Sequence, residues 1–295
     1  MDSGFFSVFL PITLAIMMMG LGLELRIKDF LHLSRYPKVI FLTLFSQLVL
    51  LPCIAFLICL ILRLPPLLAV GLMLLAASPG GPTANLFSYL YKGDVALNIT
   101  LTAINTIISI ITLPFIINLS LHYFMSHDSN VAFPVEKIVQ VFLITLIPVM
   151  IGMLLRAKFP NLSITVSKPM RVLSIGFLTI LFVFAVFRER SNLVEYFSSI
   201  GTATAILCFC SLFIGYCIPL LMGIPEKMAR ACTFEIGIHN TAIALTIAIS
   251  VLNNVTMAIP AGIYTIFMYS FATIFGVLIS RQQVVYSNKG RLSDL

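Results

Sequence analysis

Glu235 is the only carboxylate well inside any long apolar run of this 295-residue sequence; Glu24 stands at the end of the first run. A carboxylate in hydrocarbon without a partner is costly or takes up a proton. No Lys or Arg falls in the interior of a run. The partner is therefore a metal cation, a proton or a set of polar donors. His239 follows four residues later, an i, i+4 neighbour on an intact helix, but Gly237 between them favours a break. A plainer arrangement is a neutral Glu–His hydrogen-bonded pair that braces a bundle. Small hard cations want oxygen ligands: carboxylates, amide and backbone carbonyls, hydroxyls. Such oxygens are spaced for one helical face at Asn98, Thr102, Asn105 and Ser109, with Thr106 nearby. A lone Thr in a membrane helix bonds its own backbone and means little. Four polar residues on one stripe point to a polar interior. Gln47 is the one amide in the middle of its apolar run.

The elements that must position these residues are broken helices. Ala77-Ser78-Pro79-Gly80-Gly81-Pro82-Thr83-Ala84-Asn85 cannot continue an α-helix, because proline removes amide donors and clashes with the preceding turn while glycine weakens the helix further. A simple kink would need only one proline. Broken backbone at membrane depth is tolerated where it is buried in protein or lines a watery cavity. A second half-helix starting near Thr83 or Asn85 presents free N–H groups and a positive dipole end. The run Phe234–Thr241 is the second break. Pro65-Pro66 precedes the first break and Pro225 the second. One break is entered from outside and the other from inside, the pattern of inverted repeats.

The whole composition agrees with a bilayer setting. Hydrophobic residues make up 60 % and charged residues 10 %, against about 45–50 % and about 25 % in soluble proteins. Mean hydropathy is +1.08. A soluble enzyme, a disordered chain and a nucleic-acid-binding domain are excluded as leading classes. Nine runs free of Asp, Glu, Lys and Arg, apart from Glu235, are long enough to span a membrane: 3–23, 39–62, 64–91, 95–121, 138–155, 172–187, 197–222, 231–252 and 257–280. The first lacks a basic n-region and a small-residue cleavage site, and is expected to be retained. Assigning alternate loops to alternate sides puts 14 Lys and Arg on one side and four on the other: Arg63, Lys137, Arg188 and Arg190. The N-terminus is thus expected outside and the C-terminus in the cytoplasm. The same bias explains the net charge of +7 without nucleic acid. The six cysteines form no C-x-x-C pair and are expected as small core residues.

At this point the sequence resembles the bile acid:sodium symporter family. The carrying residues are Ser78-Pro79-Gly80-Gly81, Asn85, Lys92-Gly93-Asp94, Asn98 with Thr102, and Glu235-x-Gly237-x-His239-Asn240. Arg35-x-Pro37-Lys38, Gln47 and Pro52 also fit. The resemblance covers about Met18 to Gly276. It implies an all-α membrane protein of nine transmembrane helices with inverted repeats and two broken, crossing helices. Panel helices would lie at 1–33 and 134–190. Core helices would lie at 34–125 (broken helix 64–91) and 196–281 (broken helix 226–252), and 282–295 would be a cytoplasmic tail. A first Na+ site would use Asn85, Asn98, Thr102, Glu235 and the Ala84 carbonyl. Relatives often have Ser where this chain has Ala84 and Asn98. A second would use Gln47, Glu235, His239 and the carbonyls of Ile236 and Ile238. Relatives usually have Gln in place of His239, and imidazole is a poor sodium ligand but a ready proton acceptor. The second ion is then a proton on His239 or is absent; alternatively both sodium sites persist. Substrate contacts would come from Pro82, Thr83, Asn85, Asn240 and Thr241, whose half-helix N-termini suit a carboxylate or sulfonate, and from Met268 and Tyr269. Pro82 stands where relatives often carry a hydroxyl or amide, and Met268-Tyr269 where some bacterial relatives carry His-Asn.

The resemblance implies a secondary active transporter that carries an organic anion, such as a bile acid or a small carboxylate like pantoate, with sodium by alternating access. An intramembrane enzyme is disfavoured: His-Glu-x-x-His is absent, and only Asp94 sits even at a span boundary. A channel or receptor fits the doubly broken core less well. Expected partners are the organic anion, sodium ions and the lipid bilayer, with no nucleic acid and no obligate protein partner evident. The expected location is a cell membrane, in a bacterium the inner one.

Overall fold

The computed structural model describes residues 36–125, 135–166 and 193–292, with scattered positions between 12 and 23 and between 169 and 176. Most of the expected runs 172–187 and 3–23, and the loop 126–134, lie outside the described residues. All regular structure among the described residues is helical, apart from one two-residue bridge.

The first helix described along its whole length begins at Pro37, where a proline's missing N–H costs nothing. It comprises α1 (Pro37–Phe45), a π turn (Ser46–Leu50) and α2 (Leu51–Ile61). Pro52 cannot donate to the fourth residue before it, and the chain loosens into the π turn just there. Then follow α3 (Pro66–Ala77), α4 (Thr83–Leu90) and the long α5 (Val95–Met125). Next are α6 (Val135–Lys158) and α7 (Leu193–Leu221). Two half-helices, α8 (Glu226–Gly237) and α9 (Thr241–Thr246), precede a second π turn (Ile247–Val251). The last element is α10 (Ile259–Leu292), which runs on through residues 282–292. Among the described residues, four helices are long and apolar enough to cross a membrane: Pro37–Ile61, Val95–Met125, Phe197–Leu221 and Thr256–Ser280. Large apolar side chains such as Phe41, Ile61, Phe115, Leu154 and Ile266 face outward, as on a multi-pass membrane protein.

A local pattern recurs at a separation of 160 residues. Arg63 and Gly223 both have positive φ. Leu64 N donates to Cys59 O, and Ile224 N to Pro219 O. Pro65 and Pro225 cap helices of equal length with nearly equal dihedral angles. Ala69 N donates to Pro65 O, and Ala229 N to Pro225 O. Beyond the breaks, Leu97 N donates to Asp94 Oδ1 and Met257 N to Asn254 Oδ1, both at 3.1 Å.

α3 is buried on all sides from Leu68 to Ala77, which requires the interior of a larger assembly. It packs on α5, while α8 packs on α7 and α7 on α10. Away from this centre, Gly22 lies on the backbone of Val149, and Gly152 on that of Met19. A side chain at either position would overlap a carbonyl. Small residues at such crossings let membrane helices approach backbone to backbone.

Candidate functional site

Both breaks are resolved as helix ends. α3 stops at Ala77 because Pro79 forces Ser78 into extended backbone, and α4 starts at Thr83. α8 stops at Gly237, and α9 starts at Thr241, where Asn240 Oδ1 accepts from Ile243 N at 3.3 Å. The two interruptions cross. Gly80 and His239 pair in an antiparallel bridge; Gly81 N donates to Ile238 O at 2.6 Å and Asn240 N to Pro79 O at 2.8 Å. Backbone groups that neither helix can satisfy are thus satisfied by the other break.

Glu235 lies beside this crossing, fully buried. Gly80 sits directly against its carboxylate, so closely that any Cβ would overlap it. Thr102 Oγ1 donates to Glu235 Oε2 at 2.5 Å, and Asn105 Nδ2 to Oε1 at 3.2 Å. Both donors come from α5. Among the described residues no basic side chain pairs with Glu235. On α4 and α5, which both pack on α8, two amide oxygens have no donor. Asn98 spends its amide N–H on Ala231 O at 2.8 Å, which leaves a buried Oδ1 without a partner. Asn85 Oδ1 is likewise buried and unpartnered. Ala84 beside it is fully buried.

On the other side of the crossing, the π turn carries Gln47 inward. Its Nε2 donates to Ser78 O at 3.1 Å and lies 3.2 Å from His239 Nδ1; its Oε1 has no partner. His239 Nδ1 is also 3.2 Å from Ser78 O, and its buried Nε2 has no partner. The ring stands edge-on to Tyr264. Tyr264 Oη donates to Gly237 O at 3.0 Å, closing the end of α8. The Ile238 carbonyl already accepts from Gly81 and keeps one lone pair. Buried polar atoms are nearly always satisfied, yet Asn85, Asn98, Gln47 and His239, on the broken helices and the elements packed against them, each keep one that is not.

A model of the sodium bile acid symporter family matches residues 11–196. The chain belongs to that family. A probable sodium/metabolite cotransporter BASS1, chloroplastic, of Arabidopsis thaliana is 26 % identical over 253 residues, covering 86 % of this chain and 62 % of that protein. The ileal sodium/bile acid cotransporter of Homo sapiens is 26 % identical over 299 residues, covering 98 % and 83 %. The sodium-dependent transporter YocS of Bacillus subtilis (strain 168) is 24 % identical over 260 residues, covering 88 % and 79 %. The chain spans only 62 % of the plant protein's length and 47 % of that of the human P3 protein.

Within this member of the family, the expected substrate residues fall in two groups. Pro82, Thr83, Asn85, Asn240 and Thr241 cluster at the N-terminal ends of α4 and α9. Tyr269 is partly exposed and stacks on Phe87 of α4, and Met268 is buried beside it in sequence. Neither lines the small cavity, of about 20 Å³, bounded by Met18, Pro79, Thr106, Ser109, Val149 and Ile243. That volume holds about one water.

Sequence reasoning missed three residues here. Asn105 was seen only as part of a polar stripe, although its amide reaches Glu235. Nothing in the sequence marks Tyr264. Arg230, which counts only as one of the 14 basic residues of one side, is fully buried. Its guanidinium bonds Glu226 Oε1, Tyr91 O at 3.1 Å and Ile279 O at 2.8 Å. A charged residue next to an apolar run is buried when its helix starts before the run does.

Proposed function

We propose that this chain is a sodium-coupled carrier of an organic anion that works by alternating access. The observation that carries it is a buried carboxylate without a basic partner, flanked by unpartnered amide oxygens at the crossing of two broken helices. In one site Na+ takes Glu235, Asn85 Oδ1, Asn98 Oδ1, Thr102 and the Ala84 carbonyl. In the other it takes Glu235, Gln47 Oε1 and the carbonyls of Ile236 and Ile238, with His239 beside it. These are oxygen sets suited to a hard monovalent cation. The organic anion lies between core and panel, facing the N-termini of α4 and α9. The matched hydrogen-bond pattern 160 residues apart supports inverted repeats within nine spans, and the excess of basic residues on one side supports a cytoplasmic C-terminus.

The unpartnered Nε2 of His239 supports a second reading, in which a proton replaces the second sodium. One experiment separates them. The melting temperature (Tm) of the purified chain is recorded in NaCl, KCl and choline chloride of equal ionic strength, at pH 6 and pH 8. A cation that binds only the folded state raises Tm by mass action. Sodium coupling predicts a sodium-specific rise that Glu235→Gln abolishes. A rise that changes with pH in the native chain, but not in His239→Gln, supports the proton. No sodium effect at either pH overturns sodium coupling.

A further inference from the structure

The cavity between core and panel and the ion carboxylate share a wall. Pro79 lines the cavity, and its neighbour Gly80 lies on Glu235. A second connection runs through side chains. Ser109 lines the same cavity; its Oγ faces Asn105 Oδ1 at 3.4 Å, and the other end of that amide donates to Glu235 Oε1 at 3.2 Å. All three side chains are buried. Thr106, between them in sequence, also lines the cavity, with a buried hydroxyl that has no partner.

We propose that Asn105 is a positioning residue that fixes the ion-binding carboxylate of Glu235, and that Ser109 sets the amide's direction from the cavity side. An amide has one donating and one accepting end. Turned the other way, Asn105 would aim its oxygen at a carboxylate oxygen. A donor at Ser109 that engages the carbonyl end selects the arrangement with the N–H groups on Glu235. The carboxylate then keeps one face for Thr102 and the ion, and does not swing toward the cavity. Whatever polar group enters the cavity meets the Ser109 and Thr106 hydroxyls first. A change there reaches Glu235 through one side chain, a short physical path by which cavity occupancy and cation affinity influence each other. This inference rests on Glu235 being a sodium ligand.

The test uses the full chain and NaCl as its only probe. The sodium concentration giving half the maximal rise in Tm, at constant ionic strength, is measured for the native chain, Asn105→Ala, Ser109→Ala and the double variant. A hydrogen bond to a charged group corresponds to a change of roughly tenfold or more, so Asn105→Ala is expected to raise that concentration about tenfold. Ser109→Ala is expected to raise it about threefold in the native background and not at all on top of Asn105→Ala, because a residue that acts through another shows no separate effect once that one is gone. Tm in KCl serves as the control, since a merely structural role lowers it without moving the midpoint. Equal midpoints in native and Asn105→Ala protein overturn the positioning role. Equal factors for Ser109→Ala in both backgrounds overturn the relay. If Asn105→Ala does not fold, the midpoint of Ser109→Ala alone decides, an unchanged value overturning the relay. Absence of any sodium rise in the native chain removes the sodium-ligand assignment itself, a different result from a rise that Asn105→Ala leaves untouched.

Discussion

Gly80 does for Glu235 what no larger residue can. Its missing side chain is the space the carboxylate occupies, and its backbone joins the bridge to His239. Gly80→Ala puts a methyl group into the carboxylate. Overpacking of this kind costs about 1–3 kcal/mol. The variant is expected to melt lower in KCl and to need about tenfold or more sodium for half its Tm rise. Removing the obstacle separates the two effects. Gly80→Ala with Glu235→Ala regains stability in KCl relative to Gly80→Ala alone, yet shows no sodium response. If the double variant melts no higher than the single one, the close packing seen here is not the cause. Glu235 was legible in the sequence because a lone carboxylate in an apolar run breaks a strong rule. Its donors were legible only in part. A stripe of polar residues shows which face of a helix is polar, but not which side chain is long enough, or aimed well enough, to reach across. Asn105 and Thr102 both lie on that face and both reach Glu235, whereas Asn98 turns its amide to Ala231.

The half-helices need more than their crossing to hold still. Arg230 on α8 ties the C-terminal end of α4, at Tyr91 O, to α10, at Ile279 O. Carbonyls at a helix C-terminus are good partners for a cation. Glu226 shares the guanidinium and is itself partly exposed, its side chain 33 % accessible against 0 % for Arg230. The pair is therefore asymmetric. Arg230→Met leaves a carboxylate that can reach water. Glu226→Gln leaves a fully buried cation with neutral acceptors alone, which is the costlier loss. Glu226→Gln is expected to lower Tm more than Arg230→Met does. Both are expected to keep the sodium-dependent rise, because neither touches the ion ligands. A melting series in KCl and NaCl checks both points; the reverse order of Tm would show that Arg230 is valued for its carbonyl contacts rather than burdened by its charge. The breaks themselves were readable, since Pro79-Gly80-Gly81-Pro82 can be neither helix nor ordinary kink. The recurring local pattern was hardly readable. Arg63 and Gly223 adopt the same left-handed turn although their side chains have nothing in common.

For the molecule as a whole, the decisive quantity is the space between α6 and the crossing of the broken helices. A site for an organic anion needs roughly 300 Å³ or more, while the cavity bounded by Pro79, Ile110 and Ile243 on one side and Met18 and Val149 on the other measures about 20 Å³. That cavity admits a water and no metabolite. If the chain carries an anion through this place, the two parts must separate, and a separated minor state is populated at about 0.1–10 % in an ordinary two-state protein. That is enough for slow chemical labelling. In a background with the six cysteines replaced, Leu113→Cys is expected to react with a charged methanethiosulfonate despite the burial of Leu113 in this state. Val149 and Ile247 line the cavity from α6 and from the second π turn. Bridging cysteines at those positions with a short bifunctional thiol reagent pins the gap. Labelling at position 113, through a cysteine unmasked only after the bridge is made, is then expected to fall at least about tenfold, with the sodium-dependent rise in Tm kept. The two readouts together fix where motion is needed: labelling depends on the parts separating, sodium binding on the crossing alone. Equal labelling with and without the bridge would mean that the cavity opens by some route other than parting of α6 from the crossing. Loss of the sodium response in the bridged protein would mean that the ion site is shaped by α6 as well as by the crossing.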